Sequence, residues 1–339
     1  MLKETSSLTK TLGNIPVLKI RDITMNSPLV LAPMAGVSNH AFRVLCKRLG
    51  GCGLVCSEMF SSYAIKFRDP KTKNMLDWTK EERPISVQVF GGDPEACSIG
   101  ARFLEENGAN IIDINFGCPV PKVAKSGSGA SILKDLSKAE SIIKTVRKVV
   151  NVPLTVKTRL GWFMDMPTVF EFVKIAEACG VDAISIHGRY AQQKYTGIAD
   201  WETIAQVREI IPNMPLIANG DINSPKACKE IFKKTGCNGA MIARAAHGKP
   251  WIFKHMYHYL ETGEFLPEPD FKEVIEIAKK HNQILCDIHG DKRASKEMRG
   301  YLVHYIRGFD NSAKIRDEIM HTKSSKEIEG ILDEASNIC

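Results

Sequence analysis

Short apolar, β-branched runs recur along the first three quarters of the chain, each ending on a polar or small residue. They read "PLVLAP" from Pro28, "GLVCSE" from Gly53, "ISVQVFG" from Ile85, "NIIDINFG" from Asn110, "PLTVKTR" from Pro153, "DAISIHG" from Asp182, "PLIANGD" from Pro215 and "GAMIARA" from Gly239. Runs this apolar on both faces belong to parallel strands covered by helices. The segments between them supply those helices. "GDPEACSIGARFLEENG" opens on capping and proline signals, and "MPTVFEFVKIAEACG" and "NSPKACKEIFKKTG" close on glycine. Eight strand-helix units predict a closed (β/α)8 TIM barrel of class α/β. A doubly wound open sheet often carries G-x-G-x-x-G in its first turn, where this chain reads "APMAGVSNH".

From about residue 255 the strand pattern stops. "PEPD" from Pro267 reads as a linker, and "DFKEVIEIAKKHNQIL" as an amphipathic helix with Asp270 at its N-cap. The expected organisation is a barrel over 1–254 followed by a small C-terminal α-helical bundle domain over 255–339.

Composition narrows the setting. The ten cysteines show no disulfide spacing, and "MLKETSSLTKTLGNIPVLKI" lacks the apolar core of a signal peptide, so free thiols in a reducing cytoplasm are expected. No uncharged apolar run reaches the roughly 20 residues that span a bilayer, which argues against a membrane partner. Cys46, Cys52 and Cys56 are spaced wrongly for zinc and read as core thiols; no metal is expected. The net charge of +7 mildly favours a polyanion. From Lys279 to Arg316 there are nine Lys or Arg (279, 280, 292, 293, 296, 299, 307, 314, 316) against four Asp or Glu (287, 291, 297, 310). That basic stripe reads either as a phosphate-contacting face or as a solvated helix surface.

Barrel enzymes work at the C-terminal ends of their strands. There this chain places Asn39, Glu58, Gln88, Asn115 with Cys118, Lys157 with Arg159, His187 with Arg189, Asn219 with Asp221, and Arg244. A single polar strand end is commonly a loop anchor; a full set around the barrel points to a site. "NGDINSP" and "ARAAHGKPW", after the last two strands, carry small residues that let backbone N–H groups reach an anion, and Arg244 adds charge. A phosphate-bearing cofactor follows. Lys157 facing the electron-accepting edge of a ring, Gln88 on a ring amide edge and "APMAG" against a flat face suit FMN better than a nicotinamide. The alternative for Lys157 is a Schiff-base lysine, which its strand position also allows.

Cys118 lies in "DINFGCPVPKVAKSGSGA", where an apolar run gives way to a loop rich in Pro, Gly and Lys. A buried structural thiol needs no such loop. A general acid or nucleophile needs solvent access and a nearby cation, for which Lys122 and Lys125 are candidates.

Together "LAPMAGVSNHAFR", "SEM", "VQVFG", "DINFGCPVPKV", "VKTRLGW", "ISIHGRYAQQKYTGIADW", "IANGDI" and "MIARAAHGKPWIF" resemble the tRNA-dihydrouridine synthases, most closely the bacterial B-type subgroup. The resemblance implies an FMN-dependent barrel enzyme, usually monomeric, whose helical tail helps hold tRNA. It implies that Pro33, Met34 and Ala35 pack on FMN, and that Gln88 and Lys157 face its ring. His187, Asn219, Gly220, Asp221, Ala243 and Arg244 would make the remaining flavin and phosphate contacts. The implied chemistry has NADPH, or NADH, reducing FMN, hydride passing to uracil C6 and the Cys118 thiol protonating C5, with Asn115 positioning the base. Lys122, Arg159, Arg299 and Arg307 complete the expected substrate contacts. With no separate nicotinamide domain, the reductant is expected at the same mouth as the RNA. Ala243 stands where the family usually has glycine, and Gly300 and Tyr301 stand where it has a cation and a histidine. The alternatives are an FMN-dependent dihydroorotate or dihydropyrimidine dehydrogenase, and an RNA-binding protein that keeps the flavin fold without turnover.

Overall fold

In a strand, successive side chains point to opposite faces, so each apolar run must divide its residues between two environments. A computed structural model describes residues 15–338 and shows that division. The stretch Met1–Asn14, on which the expectation of no leader chiefly rests, lies outside the described residues, as does Cys339.

The eight expected runs form parallel strands β3 (Leu29–Leu31), β4 (Leu54–Ser61), β5 (Ile85–Phe90), β6 (Ile111–Phe116), β7 (Leu154–Arg159), β8 (Ala183–His187), β9 (Leu216–Asn219) and β10 (Gly239–Ile242). They pair in sequence order, and β10 returns to β3 to close the barrel. One set of alternate residues, including Val87, Val89, Ile112, Ile114, Val156, Ile184 and Ile186, packs outward into the main core under the helices. The other set faces inward: Val30, Leu54, Ile111, Ala183, Ile217 and Met241 form a second apolar cluster.

That inner cluster is completed by two strands too short for any sequence periodicity to reveal. β1 (Lys19–Ile20) and β2 (Ile23–Thr24) form a hairpin whose Ile20, with the preceding Leu18, is fully buried against the barrel interior. The hairpin plugs the lower end. Higher in the barrel the inward positions turn polar, and the register sets them side by side. Gln88 pairs with Asp113, Asn115 with Lys157, Arg159 with His187, and His187 with Asn219.

The expected helices form at Pro94–Glu106, capped by Asp93, at Val169–Ala178, and at Pro225–Thr235, capped by Ser224 and closed by left-handed Gly236. The helix Ile252–Thr262 runs through the boundary expected at 254 and packs on Pro225–Thr235. Geometrically it continues the barrel's outer layer, and the extended stretch 264–270 follows it.

Four tail helices come next: Phe271–His289, Asp291–Tyr305, Ser312–Met320 and Ser325–Ile338. Asp270 caps the first of them in a reciprocal capping box with Glu273. The bundle sits on the first barrel helix, His40–Leu49. There the Phe42 and Tyr301 rings stack with centroids 5.7 Å apart. The Tyr301 hydroxyl donates to Val37 O at 2.6 Å, and Asn39 Nδ2 donates to Glu297 at 3.1 Å. The His247 and His304 rings stack at 3.6 Å. The tail therefore grips two barrel-rim loops, the one after β3 and the one after β10.

Candidate active site

The inward polar positions open into a cavity of ≈ 670 Å³ at the C-terminal end of the barrel. Its apolar wall is Ala32, Pro33, Met34 and Ala35, contributed by the loop after β3. Gln88, Asn115, Lys157 and His187 rise from β5, β6, β7 and β8. Asn219, Gly220 and Asp221 after β9 and Ala243 and Arg244 after β10 complete the circle, and Cys118 and Arg159 stand on the same wall as Asn115.

Hydrogen-bond directions around the thiol follow from the backbone. Asn115 Oδ1 accepts from the N–H groups of Gly117 and Cys118, at 3.0 and 2.9 Å. Its amide nitrogen must then face Gln88, and it donates to Gln88 Oε1 at 2.7 Å. Gln88 Nε2 in turn donates to Asp113 Oδ2 at 2.6 Å, while Asp113 Oδ1 accepts from Thr155 at 2.6 Å. A buried carboxylate thus orients two amides and, through them, the cysteine loop. Two further ties hold that loop: Arg159 Nε donates to Gly117 O at 2.8 Å, and the Ala130 N–H donates to Cys118 O at 3.0 Å. Gly129, at φ +60°, permits this approach, because a Cβ there would sit 2.7 Å from Cys118 O. The loop's glycines and polar neighbours therefore hold a half-buried thiol at a fixed point on the cavity wall.

Beside the thiol the charges are arranged in layers. Burial lowers the Lys157 ammonium to about 8, with Arg159 adding repulsion, and Lys157 donates to Asn219 Oδ1 at 3.1 Å. Burial, reinforced by Lys157, Arg159, Arg189 and Arg244, holds His187 far below the usual imidazole range, so the ring is neutral. Arg189 can only donate, and its contact with His187 Nε2 at 3.2 Å makes that nitrogen the acceptor. The ring proton then sits on Nδ1. Asp221 accepts from Arg189 at 2.8 Å and from the Ala199 N–H at 2.7 Å. Burial raises its carboxyl, but these donors outweigh burial and leave it below the ordinary range. Gly220, at φ +115°, has no room for a side chain: a Cβ would lie 2.9 Å from His187.

The donor set fits a flavin mononucleotide. The loops after β9 and β10 offer backbone N–H groups and Arg244 to a phosphate, Gln88 and Lys157 offer donors to a polar ring, and Met34 with its neighbours offers an apolar face. Among the described residues no group of three or more His, Cys, Asp or Glu is placed to hold a metal ion. No described helix is long and apolar enough to cross a membrane.

Other expected residues fall elsewhere. Lys122 and Lys125, on the short helix Pro121–Lys125, are exposed and do not line the cavity. The cations that line the cavity with Cys118 are Lys157 and Arg159. Arg159 is almost wholly buried and also bonds the carbonyls of Tyr190 and Lys194, which makes it a loop clamp as well as a lining residue. Asn39 and Glu58 line a smaller cavity of ≈ 280 Å³ between the loop after β3 and the tail. Arg299 binds the carbonyls of Met320 and Thr322, closing the end of one tail helix, whereas Arg307 is exposed. Cys46, Cys52 and Cys56 are free, buried thiols. Two participants escape the list of strand ends, namely Asp113 and Tyr195. Asp113 sits two residues before Asn115 and so shares its inward face. Tyr195 arches over the mouth, with Arg244 at 5.2 Å and Arg159 at 5.5 Å from its ring.

The dihydrouridine synthase (Dus) family matches residues 30–338. The tRNA-dihydrouridine synthase B of Vibrio vulnificus (strain CMCP6) is 38% identical over 88% of this chain and 92% of its own length. That of Pseudomonas aeruginosa is 38% identical over 88% of this chain and 90% of its own length. A probable tRNA-dihydrouridine synthase of Rickettsia bellii is 37% identical over 89% and 93%. Among solved structures, histamine dehydrogenase from Rhizobium sp. 4-9 aligns with a TM-score of 0.57 at 10% identity over 80% of this chain. A 2-naphthoyl-CoA reductase aligns at 0.57 and 13% over 72%. This chain spans about half the length of each of those two, 51% and 52%, and the likeness is one of fold.

Proposed function

Since this chain belongs to the dihydrouridine synthase family, we propose that it reduces the C5–C6 double bond of uridine in tRNA, with FMN resident in the barrel mouth and NADPH as reductant. The observation that carries the reading is the convergence of Cys118, Asn115, Gln88 and Lys157 on one cavity wall, the first three joined by hydrogen bonds whose directions are fixed. Bound FMN supplies hydride.

The protein's own groups do the rest. Cys118 holds the proton that a reduced pyrimidine must gain at C5, and Asn115 and Arg159 keep its loop still. Gln88 and Lys157 face the polar edge of the ring, the Nδ1–H of His187 adds a neutral donor, and Arg244 with the adjoining backbone takes the phosphate. A pyrimidine face can meet a flat cofactor only when the base has left its stack, so the substrate is an extruded uridine. The exposed cations of the tail, Lys292, Lys296 and Arg307, are suited to the RNA backbone.

Two assays test this. Flavin released on denaturation should be FMN; FAD, or no flavin, contradicts the cofactor. NADPH consumption should depend on tRNA that lacks dihydrouridine. Consumption driven by free pyrimidines and indifferent to tRNA favours the small-molecule dehydrogenase instead.

A further inference from the structure

Eleven large apolar side chains are conspicuously exposed among the described residues, and six of them, Val120, Phe163, Met164, Met166, Tyr195 and Ile198, lie on three loops at one side of the cavity mouth. Concentrated exposure of this kind marks a contact surface. Val120 and Tyr195 line the cavity itself. The other four stand outside it, with 43% of Phe163, 47% of Met164, 59% of Met166 and 84% of Ile198 exposed.

Hydrogen bonds join the loops after β7 and β8 into one rim. Ala191 N–H donates to Gly161 O at 2.9 Å and Gln192 N–H to Trp162 O at 3.2 Å, while Gln192 Oε1 accepts from Met164 N–H at 3.1 Å. Cations are interleaved with the apolar groups. Lys134 lies 4.0 Å from the Trp162 ring centre and 5.8 Å from that of Phe163, and Lys122, Lys125 and Lys194 are exposed nearby in the chain. Against them stand Asp165 and Asp200, the latter engaged in capping the helix Trp201–Ile210. The tail's stripe is partly neutralised by comparison: Lys279 pairs with Glu276, Arg293 with Glu297 and Lys314 with Glu318.

We infer that this rim is the platform on which the RNA bases flanking the reduced uridine stack. The inference rests on the proposed function, because extruding a uridine strips its neighbours of a stacking partner and leaves apolar faces at the cavity mouth. A thioether or aromatic surface there takes those faces, and the interleaved lysines meet the adjoining phosphates. A protein partner would not need the surface to border the point where a base enters.

The test uses full-length holoprotein and tRNA from cells lacking dihydrouridine, with affinity and turnover scored separately. The combined Phe163→Ala, Met164→Ala and Met166→Ala variant should bind this tRNA roughly tenfold or more weakly, as expected for lost base stacking. The slope of affinity against salt should stay unchanged, because no phosphate contact is removed. Flavin content and flavin reduction at saturating NADPH should match the parent. Phe163→Tyr, which keeps a ring, should retain tRNA affinity. Unchanged tRNA affinity in the triple variant overturns the inference, and so does an equal loss in Phe163→Tyr. If the parent binds tRNA in a rim-dependent way yet reduces no uridine, the functional reading fails and the rim stands.

Discussion

Gln88 Nε2 lies 2.6 Å from Asp113 Oδ2, the two residues being paired across adjacent strands beneath the cavity. Burial pushes the Asp113 carboxyl up, while its bonds from Gln88 and Thr155 and the charge of Lys157 oppose the rise. An acceptor at this point fixes the Gln88 amide, whose Oε1 accepts from Asn115. Asp113→Asn retains an acceptor oxygen and should keep most of the activity. Asp113→Leu leaves Gln88 Nε2 without its acceptor and the Gln88 amide held by Asn115 alone, and kcat for uridine reduction should fall up to about a hundredfold, the scale set by small misplacements of reacting groups. Steady-state kinetics on both variants checks this; equal loss in the two would mean that the carboxylate does more than orient.

Cys118 separates two half-reactions. Cys118→Ala should leave flavin content and NADPH-driven flavin reduction near normal and slow uridine reduction by about 10²–10⁴-fold, the usual contribution of a positioned acid. Stopped-flow absorbance for the first and product analysis for the second provide the readouts. Loss of flavin would instead make the thiol structural.

Lys157 should leave a pH signature on stability. Its value is lowered from 10.5 in the free side chain to about 8 in the folded chain, with burial as the main cause. Between those values the unfolded chain binds more protons than the folded one, so stability rises with pH across that window. Below about 8 the burial penalty on the ammonium is fully present. Urea unfolding of flavin-free protein should show this rise, and Lys157→Met should lack that part of it.

The tail's attachment rests on a few groups. Phe42→Ala removes a fully buried ring at the junction of barrel and tail and should cost about 3–5 kcal/mol. Tyr301→Phe removes the bond to Val37 O and should cost about 1 kcal/mol. Denaturant titration distinguishes the two. Tyr301, one of the positions where the sequence departs from the family pattern, thus ties the tail to the loop that supplies Met34 to the cavity.

The tail cations divide by their partners. Lys292→Glu and Lys296→Glu should each lower the salt slope of tRNA binding by about one. Lys314, paired with Glu318, should contribute less. Arg299→Glu should destabilise the tail instead, since its guanidinium closes a helix end.

Long-period features were the legible ones. Each barrel strand is a run that no helix of ordinary length would carry, and the polar residue at its end survives any shift of one or two positions in the boundary. The place of Cys118 outside the core was legible because its loop composition is foreign to a core thiol. The plug hairpin was not, since two arms of two residues carry no periodicity. Asp113 was concealed by its place within an apolar run, although its two-residue spacing from Asn115 gives the face away. The carbonyl partners of Arg159 and Arg299, such as Tyr190 and Met320, were not legible, because only the folded loops bring them together.

The most direct measurement incubates the purified protein with NADPH and tRNA from cells lacking dihydrouridine, then maps the product by nuclease digestion and mass spectrometry. Uridine that has gained two hydrogens at a defined site is expected in the parent, with far slower formation in Cys118→Ala. Unmodified tRNA, from a protein whose flavin NADPH still reduces, would contradict the proposed function.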